Sequence, residues 1–410
     1  LYTEAQLREL LQQNGYEVLA ARPMSTTSKR NQDLGMMAHR VVLAARSTKT
    51  QAGVRPIRPK HQRVTVLMGD HRKPDSVKPG STFDADDYHT INELKSALTR
   101  VPGFRFSYLD DHDTLIRDLQ EQAGRIDFVF NLCDEGLRNE AVKELHVPAL
   151  LEALSVPYTG GDPQCLAYCY DKSLVRGIAS EMDIPVPEAF IVSPEQVTFI
   201  SLPLDFPVIV KPNFGDSSIG ITADSVCYDV AQLEQAIVKA REASGFDRPV
   251  LVEQFLTGKD LSVGIIGNPP DNYRVLPIIE EDYSALPKGL PRICGYEAKW
   301  DADSEYFSKL RSIQADLPRA TEEFLHASCI RLFQRLGCRD YARFDWRVDA
   351  NGTPRLLEVN PNPGWCWDGH LARMAEFAGL SYSDMLEAIL AAAVERLACG
   401  AQTATRLQAA

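Results

Sequence analysis

The chain has 410 residues, enough for two to three domains or lobes, and its 44% hydrophobic and 24% charged content is typical of a globular protein in water. Its net charge is −12 and its basic residues form no tract. Nucleic acid and anionic membranes are therefore disfavoured as partners, which leaves small molecules. No apolar run reaches the length of a transmembrane helix.

Nine cysteines are scattered along the chain, and no second pair joins Cys165 and Cys169 in the spacing of a zinc site. We interpret them as reduced thiols, most of which fill the core of a cytoplasmic protein. The first residues lack the pattern of a signal peptide, which agrees with this location.

Residues 1–59 form an N-terminal extension whose role the sequence leaves open. An amphipathic helix is predicted from Glu4 to Gln13, followed by a polar stretch and a linker at 55–60. We interpret the extension as an accessory arm, a dimer contact or the remnant of a fused domain.

Strands and helices alternate in the next hundred residues, which predicts a parallel sheet covered by helices. Strands are predicted at 63–70, 105–109, 127–132 and 156–159, and helices at 87–100, 113–123 and 141–154. Ligands of such sheets bind beyond the carboxyl ends of the strands. Asp70 and Glu135 lie at two of these ends, where each could also be an ordinary loop residue.

A phosphate-binding loop is predicted where a strand ends at Lys211. The residues that follow include Gly215, Ser217, Ser218 and Gly220. Glycines let backbone N–H groups approach an anion, hydroxyls add donors, and the lysine adds charge. The alternative is a plain hairpin loop with an exposed lysine.

An acidic hairpin is predicted near the C-terminus, with strands on either side of a turn at 349–352. Residues two apart on a strand share a face. Arg343 therefore lies beside Asp345, and Glu358 beside Asn360. Oxygen ligands without His or Cys favour Mg²⁺ over Zn²⁺. The alternative is a solvent-facing hairpin with surface ion pairs.

Seven motifs, in this order, resemble the ATP-grasp carboxylate–amine ligases, and most of all their D-alanine–D-alanine ligase branch. They are Val156-Pro-Tyr-Thr-Gly-Gly161, Asp171-Lys172, Val210-Lys211-Pro-Asn-Phe-Gly-Asp-Ser217-Ser218-Ile-Gly220, Val252-Glu253-Gln-Phe-Leu256, Tyr296-Glu-Ala-Lys299, Arg343-Phe-Asp345 and Leu357-Glu358-Val-Asn360-Pro-Asn-Pro-Gly364. The resemblance covers roughly residues 62–395.

The resemblance implies an α/β chain with the ATP-grasp fold, in which an N-terminal parallel-sheet (pre-ATP-grasp) domain precedes two α+β lobes that clamp ATP. The expected divisions are the extension at 1–59, the pre-ATP-grasp domain at 60–165, the central lobe at 166–261, the C-terminal catalytic lobe at 262–398 and a frayed tail at 399–410.

The resemblance also implies site roles, with ATP and two Mg²⁺ ions as cofactors and Mn²⁺ as an alternative metal. The ATP-binding residues would be Lys172, Lys211, Gly215, Ser217, Ser218, Gly220, Glu253, Phe255, Leu256, Asp260 and Lys299. Within this set, the strand at Glu253 would hold adenine, Asp260 the ribose and the lysines the phosphates. The metal ligands would be Asp345, Glu358 and Asn360, and the catalytic residues Arg343, Lys299 and Ser217.

The chain departs from the family where substrates would bind. The family has an acidic residue in its first Gly-rich loop, whose counterpart here is Asp84, Asp86 or Asp87, or is missing. The family has small hydroxyl residues after the Pro-Gly turn, where this chain has two tryptophans and an acid that would crowd a small amino acid. The predicted substrate contacts are Asp70, Glu135, Tyr296, Gly364, Trp365, Trp367 and Asp368.

These features predict an ADP-forming ligase that makes an amide bond through an acyl phosphate. Its substrates would be an amino-acid or peptide-like carboxylate and an amine other than the standard D-alanine pair. One alternative is a D-alanine–D-alanine ligase of cell-wall synthesis, and another is a nucleotide-binding protein without turnover. A homodimer is expected from the resemblance alone.

Overall fold

The computed structural model of the chain describes residues 4–13, 16–24, 40–47, 61–75, 77–195, 203–215, 218–270 and 272–408. The chain divides into two compact units, Leu1–Lys60 and His61–Ala410. The first unit holds helix α1 (Glu4–Gln13) and the antiparallel strands β1 (Tyr16–Met24) and β2 (Arg40–Ser47). The helix is as predicted. The sequence does not predict the strands, because charged residues and a proline interrupt the alternation that indicates a strand.

The second unit begins with a parallel three-stranded sheet, which confirms the predicted alternation. Strand β3 (Gln62–Leu67) lies between β4 (Phe104–Leu109) and β5 (Phe128–Asn131). The connecting helices are α2 (Ala85–Thr99) and α3 (Leu115–Gln122). Strands β3 and β5 are almost fully buried, as expected when helices cover both faces of a parallel sheet.

The single helix predicted at 141–154 is interrupted. A 3₁₀ turn spans Ala141–Lys143, and helix α4 spans His146–Ala153. Pro148 has no N–H and is tolerated only in the first turn of a helix, so the helix begins at His146. The strand-like residues at 156–159 make only one parallel bridge, between Val129 and Tyr158.

Helices α5 (Pro163–Tyr170) and α6 (Lys172–Glu181) lead to a four-stranded antiparallel sheet. Its strands are β6 (Ala189–Val192), β7 (Val208–Pro212), β8 (Val226–Cys227) and β9 (Val250–Gln254), in the order β6-β9-β7-β8. Helix α7 (Val230–Ser244) packs on it through Leu233, Ala236, Ile237 and Ala240. All five residues of β7 are buried, which positions Lys211 near the end of a rigid strand.

A six-stranded antiparallel sheet follows, in the order β13-β12-β10-β14-β15 with β11 paired to β10. Its strands are β10 (Asp260–Asn268), β11 (Asn272–Val275), β12 (Ile279–Asp282), β13 (Arg311–Gln314), β14 (Tyr341–Val348) and β15 (Pro354–Asn360). The helices of this region are α8 (Tyr296–Trp300), α9 (Glu305–Lys309), α10 (Arg319–Leu336), α11 (His370–Phe377) and α12 (Tyr382–Gln408). The predicted acidic hairpin is confirmed as β14 and β15, with Gly352 N–H bonded to Asp349 O across the turn at 3.1 Å.

Two large apolar clusters hold the second unit together. One places Leu94 and Leu98 of α2 with Leu386 and Leu390 of α12, so the parallel-sheet region shares a core with the C-terminal helices. The other packs α10 against Phe344 and the fully buried Trp346 of β14. The acidic hairpin is therefore anchored from behind by apolar residues.

Strand β12 begins only at Ile279, because Pro277 in the apolar run before it cannot donate a ladder hydrogen bond. Two sets of predicted boundaries need correction. The frayed tail predicted from residue 399 is helical to Gln408, since its Ala, Gln, Leu and Arg residues are good helix formers. The predicted boundaries after 165 and 261 fall inside α5 and β10, and each element stays whole within the second unit.

Among the described residues, no single helix is long and apolar enough to cross a membrane, although His370–Phe377 and Tyr382–Cys399 pass that test as a pair bent by 103°.

Candidate active site

A cleft lies between the four-stranded and six-stranded sheets. The cleft brings together residues that are distant in sequence but that were predicted to act together. Its predicted members are Lys211, Ser218, Glu253, Phe255, Leu256, Asp260, Lys299, Arg343, Asp345 and Glu358. It also includes Ser262, Glu281, Arg347 and His370, which were not predicted as site residues.

The centre of the cleft is the acidic hairpin. Asp345 of β14 is paired with Glu358 of β15, and Arg343 with Asn360. The Arg343 guanidinium donates hydrogen bonds to both oxygens of Asp345, from Nε to Oδ1 at 2.9 Å and to Oδ2 at 3.1 Å, and from Nη2 to Oδ2 at 2.8 Å. Ser262 Oγ also donates to Oδ1, at 2.6 Å. Burial opposes the charge on Asp345, but Arg343 outweighs it and lowers the pKa of this carboxyl to about 2.

The residues predicted to bind metal fit Mg²⁺ in their chemistry. Asp345 is ionised, and Glu358 Oε2 lies 3.4 Å from Lys172 Nζ, within an ion pair. Asn360 Oδ1 accepts the N–H of Asn362 at 3.0 Å and keeps a second lone pair. All three offer hard oxygen ligands, as Mg²⁺ and Mn²⁺ prefer. Asn360 is adjacent to the cleft but does not line it.

Two of the three predicted phosphate-binding lysines are held in ion pairs. Lys211 Nζ donates to Glu253 Oε2 at 2.6 Å, and Arg176 lies 3.2 Å from the other oxygen of Glu253. Lys172 donates to the carbonyl of Gly215. Lys299 lines the cleft from α8. Glu253, predicted at the adenine, is therefore also the buried counter-ion of Lys211.

The predicted phosphate loop is described only in part, since Ser217 lies outside the described residues. Gly220 has a φ of +71°, and a Cβ there would lie 2.8 Å from Ala243 Cβ, so both conformation and packing require glycine. Ser218 Oγ donates to Cys294 O at 3.4 Å. This bond links the loop to the segment that leads into α8.

The predicted adenine and ribose residues line the end of the cleft near β9. Phe255 N–H donates to Pro207 O at 3.0 Å, so it is not available to a ligand. Asp260 Oδ2 accepts the hydroxyl of Tyr283 at 2.7 Å and lies 3.5 Å from Arg347 Nη1. Burial raises the pKa of Asp260 above its ordinary value.

The two tryptophans predicted to crowd the acceptor have different environments. Trp365 is buried, and its Nε1 donates to Leu132 O at 2.8 Å and Asp134 Oδ1 at 3.1 Å. It is a core residue, which corrects the prediction that it forms a wall of the substrate pocket. Trp367 is 39% exposed and packs edge-to-face on His89 at 5.8 Å. One indole therefore remains as a candidate wall.

Several other predicted substrate residues have structural partners. Asp70 is buried and accepts hydrogen bonds from Arg72 Nε at 2.7 Å and His112 N–H at 3.0 Å. Asp84 and Asp87 form a capping box at the start of α2, and Asp87 also pairs with Lys78. These two carboxylates stabilise the helix terminus, which argues against their replacing the acid of the family's loop.

Glu135 differs from these acids because one of its oxygens has no protein partner. Its Oε2 is buried without a hydrogen bond among the described residues, and its carboxyl group covers Gly69, where a Cβ would lie only 2.4 Å from it. Burial, reinforced by the charge of Asp134, raises the pKa of Glu135 well above its ordinary value. Lys78, whose charge also acts on Glu135, lies over the Trp300 ring at 5.5 Å.

Tyr296 connects the loop at 77–83 to the cleft. Its hydroxyl donates to Val77 O at 3.1 Å, from the helix that also carries Lys299. The structure thus positions α8 between the cleft and the loop at 77–83. Gly364 lies near the carboxylate of Asp134, since a Cβ built on Gly364 would lie 3.8 Å from Asp134 Oδ2. Burial, and next the charges of Asp134 and Asp368, raise the pKa of the Cys366 thiol.

The residues that sequence reasoning missed extend the polar floor of the cleft. Glu281 is buried, and its Oε1 accepts from Ser312 Oγ at 2.7 Å and lies 3.2 Å from His370 Nε2. Ser262 is the partner of Asp345 across β10 and β14. The acidic run at 280–282 and the placement of Ser262 two residues after Asp260 are patterns that could have indicated both.

Residues 180–391 match the family described as "D-ala D-ala ligase C-terminus". The chain is 31% identical over 249 residues to a D-alanine–D-alanine ligase of Bordetella avium. This alignment covers 60% of this chain and 72% of that protein. It is 30% identical over 305 residues to the D-alanine–D-alanine ligase of Syntrophotalea carbinolica, covering 74% of this chain and 90% of the relative. A solved D-alanine–D-alanine ligase of Bacillus anthracis aligns with a TM-score of 0.61 and 26% identity, over 82% of this chain and 98% of that one.

Proposed function

Since the chain belongs to the D-alanine–D-alanine ligase family, whose members are ATP-dependent carboxylate–amine ligases, we propose that it joins D-alanine to a second D-amino acid. The observation that carries this proposal is the grouping of Arg343, Asp345 and Glu358 with Lys172, Lys211 and Lys299 around one cleft. Cations and ionised carboxylates side by side suit a polyanion that binds together with divalent metal.

ATP fits the cleft with its phosphates toward the lysines and its base toward β9. The loop residues Gly215, Ser217, Ser218 and Gly220 would cover the phosphates, with Lys299 approaching from α8. Leu256 N–H has no hydrogen-bond partner among the described residues and would donate to adenine. Asp260 would accept a ribose hydroxyl.

Asp345, Glu358 and Asn360 would hold the magnesium, or manganese, that accompanies ATP. The bound metal would neutralise phosphate charge, which the two carboxylates alone would repel. Arg343 keeps Asp345 charged despite its burial, so this ligand needs no deprotonation before use.

The reaction activates a carboxylate, whose own leaving group would be oxide. A donor carboxylate oxygen bonds to the γ-phosphorus of ATP while the bond to the β,γ-bridging oxygen breaks, giving ADP and an acyl phosphate. The acceptor amine then forms the C–N bond, loses a proton and displaces phosphate. Arg343 would stabilise the oxyanion of this second step, a contribution worth about 10²–10³ in rate for a single donor. Acyl phosphates hydrolyse, so α8 and the Gly/Ser loop would exclude water.

Glu135 is suited to hold the ammonium group of the donor amino acid. A buried carboxylate oxygen without a partner is costly, and a bound cation would relieve that cost. Binding of an ammonium would also return the raised pKa of Glu135 toward its ordinary value. This assignment supports an amino acid, rather than a simple carboxylic acid, as the donor.

A different acceptor amine is a second candidate, supported by Trp367. Its exposed indole and the neighbouring Asp368 follow the Pro-Gly turn where the family has small residues. Trp365, the other tryptophan of this segment, packs in the core and does not support a different acceptor. D-alanine is therefore our first choice for both sites.

The test is phosphate release from Mg-ATP across single amino acids and pairs, with mass spectrometry of each active mixture. We expect release with D-alanine and a condensed dipeptide. Release only with another amine would support the second candidate and reject a D-alanine acceptor. ATP binding without a product in any mixture would favour a nucleotide-binding protein without turnover. Sedimentation of the same preparation would check the expected homodimer.

A further inference from the structure

Three buried thiols converge outside the cleft. Cys165 and Cys169 lie on α5, and Cys338 follows α10; their relative exposures are 1%, 7% and 3%. The three Sγ atoms all lie within 4.8 Å of one another, and Cys165 Sγ is 3.8 Å from Cys338 Sγ. No His, Asp or Glu of the described residues joins this group. We call these residues the thiol cluster.

The backbone holds the thiol cluster in place. Asp162 caps α5 by accepting the N–H of Cys165 at 2.8 Å, and the i,i+4 spacing puts Cys165 and Cys169 on one helix face. Gly337 ends α10 in the left-handed conformation, with a φ of +74°. Cys338 N–H then bonds back to Phe333 O at 2.9 Å. Capping geometry thus fixes the Cα atoms of Cys165 and Cys338, and the helix itself fixes that of Cys169.

The spacing of the sulfurs distinguishes the cluster from ordinary core cysteines. A single buried thiol is a common apolar filler, as Cys329 is within the same apolar core. Zinc–thiolate bonds of about 2.3 Å in tetrahedral geometry place two ligand sulfurs about 3.8 Å apart. The distance between Cys165 and Cys338 has this value, although the two residues are 173 positions apart in sequence.

We propose that Cys165, Cys169 and Cys338 bind one thiophilic metal ion of the Zn²⁺, Cd²⁺ and Cu⁺ class as three thiolates. Each thiol releases one proton as its sulfur bonds to the metal. With a divalent ion the group carries one net negative charge, and buried charge needs a counter-charge. Arg339, the next residue after Cys338, brings a positive charge to this region, where its Nε donates to Gly160 O at 2.9 Å.

The bound metal would cross-link two elements that carry the active-site groups. Helix α5 runs directly into Asp171 and Lys172, and Cys338 lies three residues before β14, which carries Arg343 and Asp345. A metal at the thiol cluster therefore stabilises the relative position of these elements without touching ATP or the substrates. The expected result of binding is greater thermal stability of the second unit.

The test is titration of the reduced, metal-free chain with Cd²⁺, followed by its thiolate-to-metal charge-transfer absorbance. We expect one Cd²⁺ per chain and a rise in Tm. The absorbance should be lost in Cys165→Ser and Cys338→Ser but kept in Cys329→Ser, a matched buried cysteine outside the cluster. No absorbance in the wild type, or the same absorbance in all three variants, would overturn the proposal.

A second measurement needs no variant. X-ray absorption of the zinc-loaded wild type should show sulfur as the nearest neighbour at about 2.3 Å. A shell of nitrogen and oxygen alone would overturn the proposal. So would a Cys165–Cys338 disulfide that persists when the chain is isolated under reducing conditions. None of these readings depends on ligase activity, so they stand or fall separately from the proposed function.

Discussion

Arg343 and Asp345 form a charged pair at the centre of the cleft, and their pairing decides what the cleft can bind. The guanidinium offsets the desolvation of the carboxylate. Glu358, opposite Asp345, has Lys172 as its partner. Each carboxylate thus has a cation beside it that could also contact a phosphate.

Glu358→Gln removes one of these charges at nearly constant volume. We expect the rate of ligation to fall by about 10²-fold or more, since a charge that supports the metal and phosphates is lost. The measurement is ADP and dipeptide formation over a range of Mg²⁺ concentrations. Glu280→Gln is the control, because Glu280, on β12, pairs with Lys259 and does not line the cleft. Full activity of Glu358→Gln would contradict the metal assignment.

Glu135 makes stability depend on pH in a defined direction. The unfolded chain ionises this group near its ordinary pKa of 4.5, whereas burial keeps it protonated in the folded chain to higher pH. Between these two values the folded state holds a proton that the unfolded state has lost. The free energy of unfolding therefore falls as pH rises.

Glu135→Gln removes this dependence. We expect the variant to gain stability relative to wild type as pH rises from 4 to 8, because only the wild type has a buried carboxyl whose ionisation opposes folding. Urea denaturation at several pH values measures the difference, with exposed Glu140→Gln as the control. The same variant should lose donor binding. A difference that does not change with pH would contradict the account of Glu135.

Helix α6 connects helix capping to nucleotide binding. Asp171 accepts from Leu174 N–H at 3.0 Å, from Ser173 Oγ at 2.6 Å and from Asn213 Nδ2 at 2.9 Å. Lys172 is the first residue of the helix, so the cap also fixes the direction of this lysine. The cap thus joins α6 to the strand β7 that carries Lys211.

Asp171→Ala should cost about 1 kcal/mol of stability, as for other helix N-caps. It should also raise KM for ATP, because Lys172 loses its fixed backbone. Asp229→Ala is the matched control: it caps α7 through Gln232 N–H at 2.9 Å, away from the cleft. Thermal melts and ATP saturation curves test both effects. Equal changes in KM for the two variants would show that the cap of α6 has no special role.

At the scale of elements, much of the second unit could be predicted because local patterns agree with tertiary packing. The alternation of Val64, Val66 and Phe130 with their neighbours predicts β3 and β5, and Gly352 predicts the hairpin turn. The error in the helix predicted at 141–154 occurs near Pro148, whose missing N–H group shifts the start of the helix. A periodic pattern gives the type of an element better than its ends.

For the second unit as a whole, the sequence could not predict the contacts that join distant segments. Seven ordered motifs were enough to indicate the cleft and most of its charged residues. The carboxyl group of Glu135 over Gly69, the turn of Trp365 into the core and the meeting of Cys165 with Cys338 all depend on how separate elements pack. No local periodicity records such contacts.

Tyr296→Phe tests the contact between α8 and the parallel-sheet region. Loss of the hydrogen bond to Val77 O should loosen α8 and admit water, so that ATP hydrolysis without product rises by about 2- to 10-fold, the equivalent of one net hydrogen bond. The ratio of ADP to dipeptide measures it. Tyr306→Phe, which loses a similar bond to Pro291 O at 2.7 Å, is the control. An unchanged ratio in Tyr296→Phe would exclude a closing role for this contact.

The most direct measurement of the central claim uses D-alanine labelled with ¹⁸O in its carboxylate, incubated with Mg-ATP and the full chain. Ligation through an acyl phosphate transfers one labelled oxygen to phosphate for each dipeptide formed, with one ADP released. We expect equal amounts of ADP, labelled phosphate and D-alanyl-D-alanine. Unlabelled phosphate, or ADP without dipeptide, would contradict the claim that this cleft activates D-alanine for ligation.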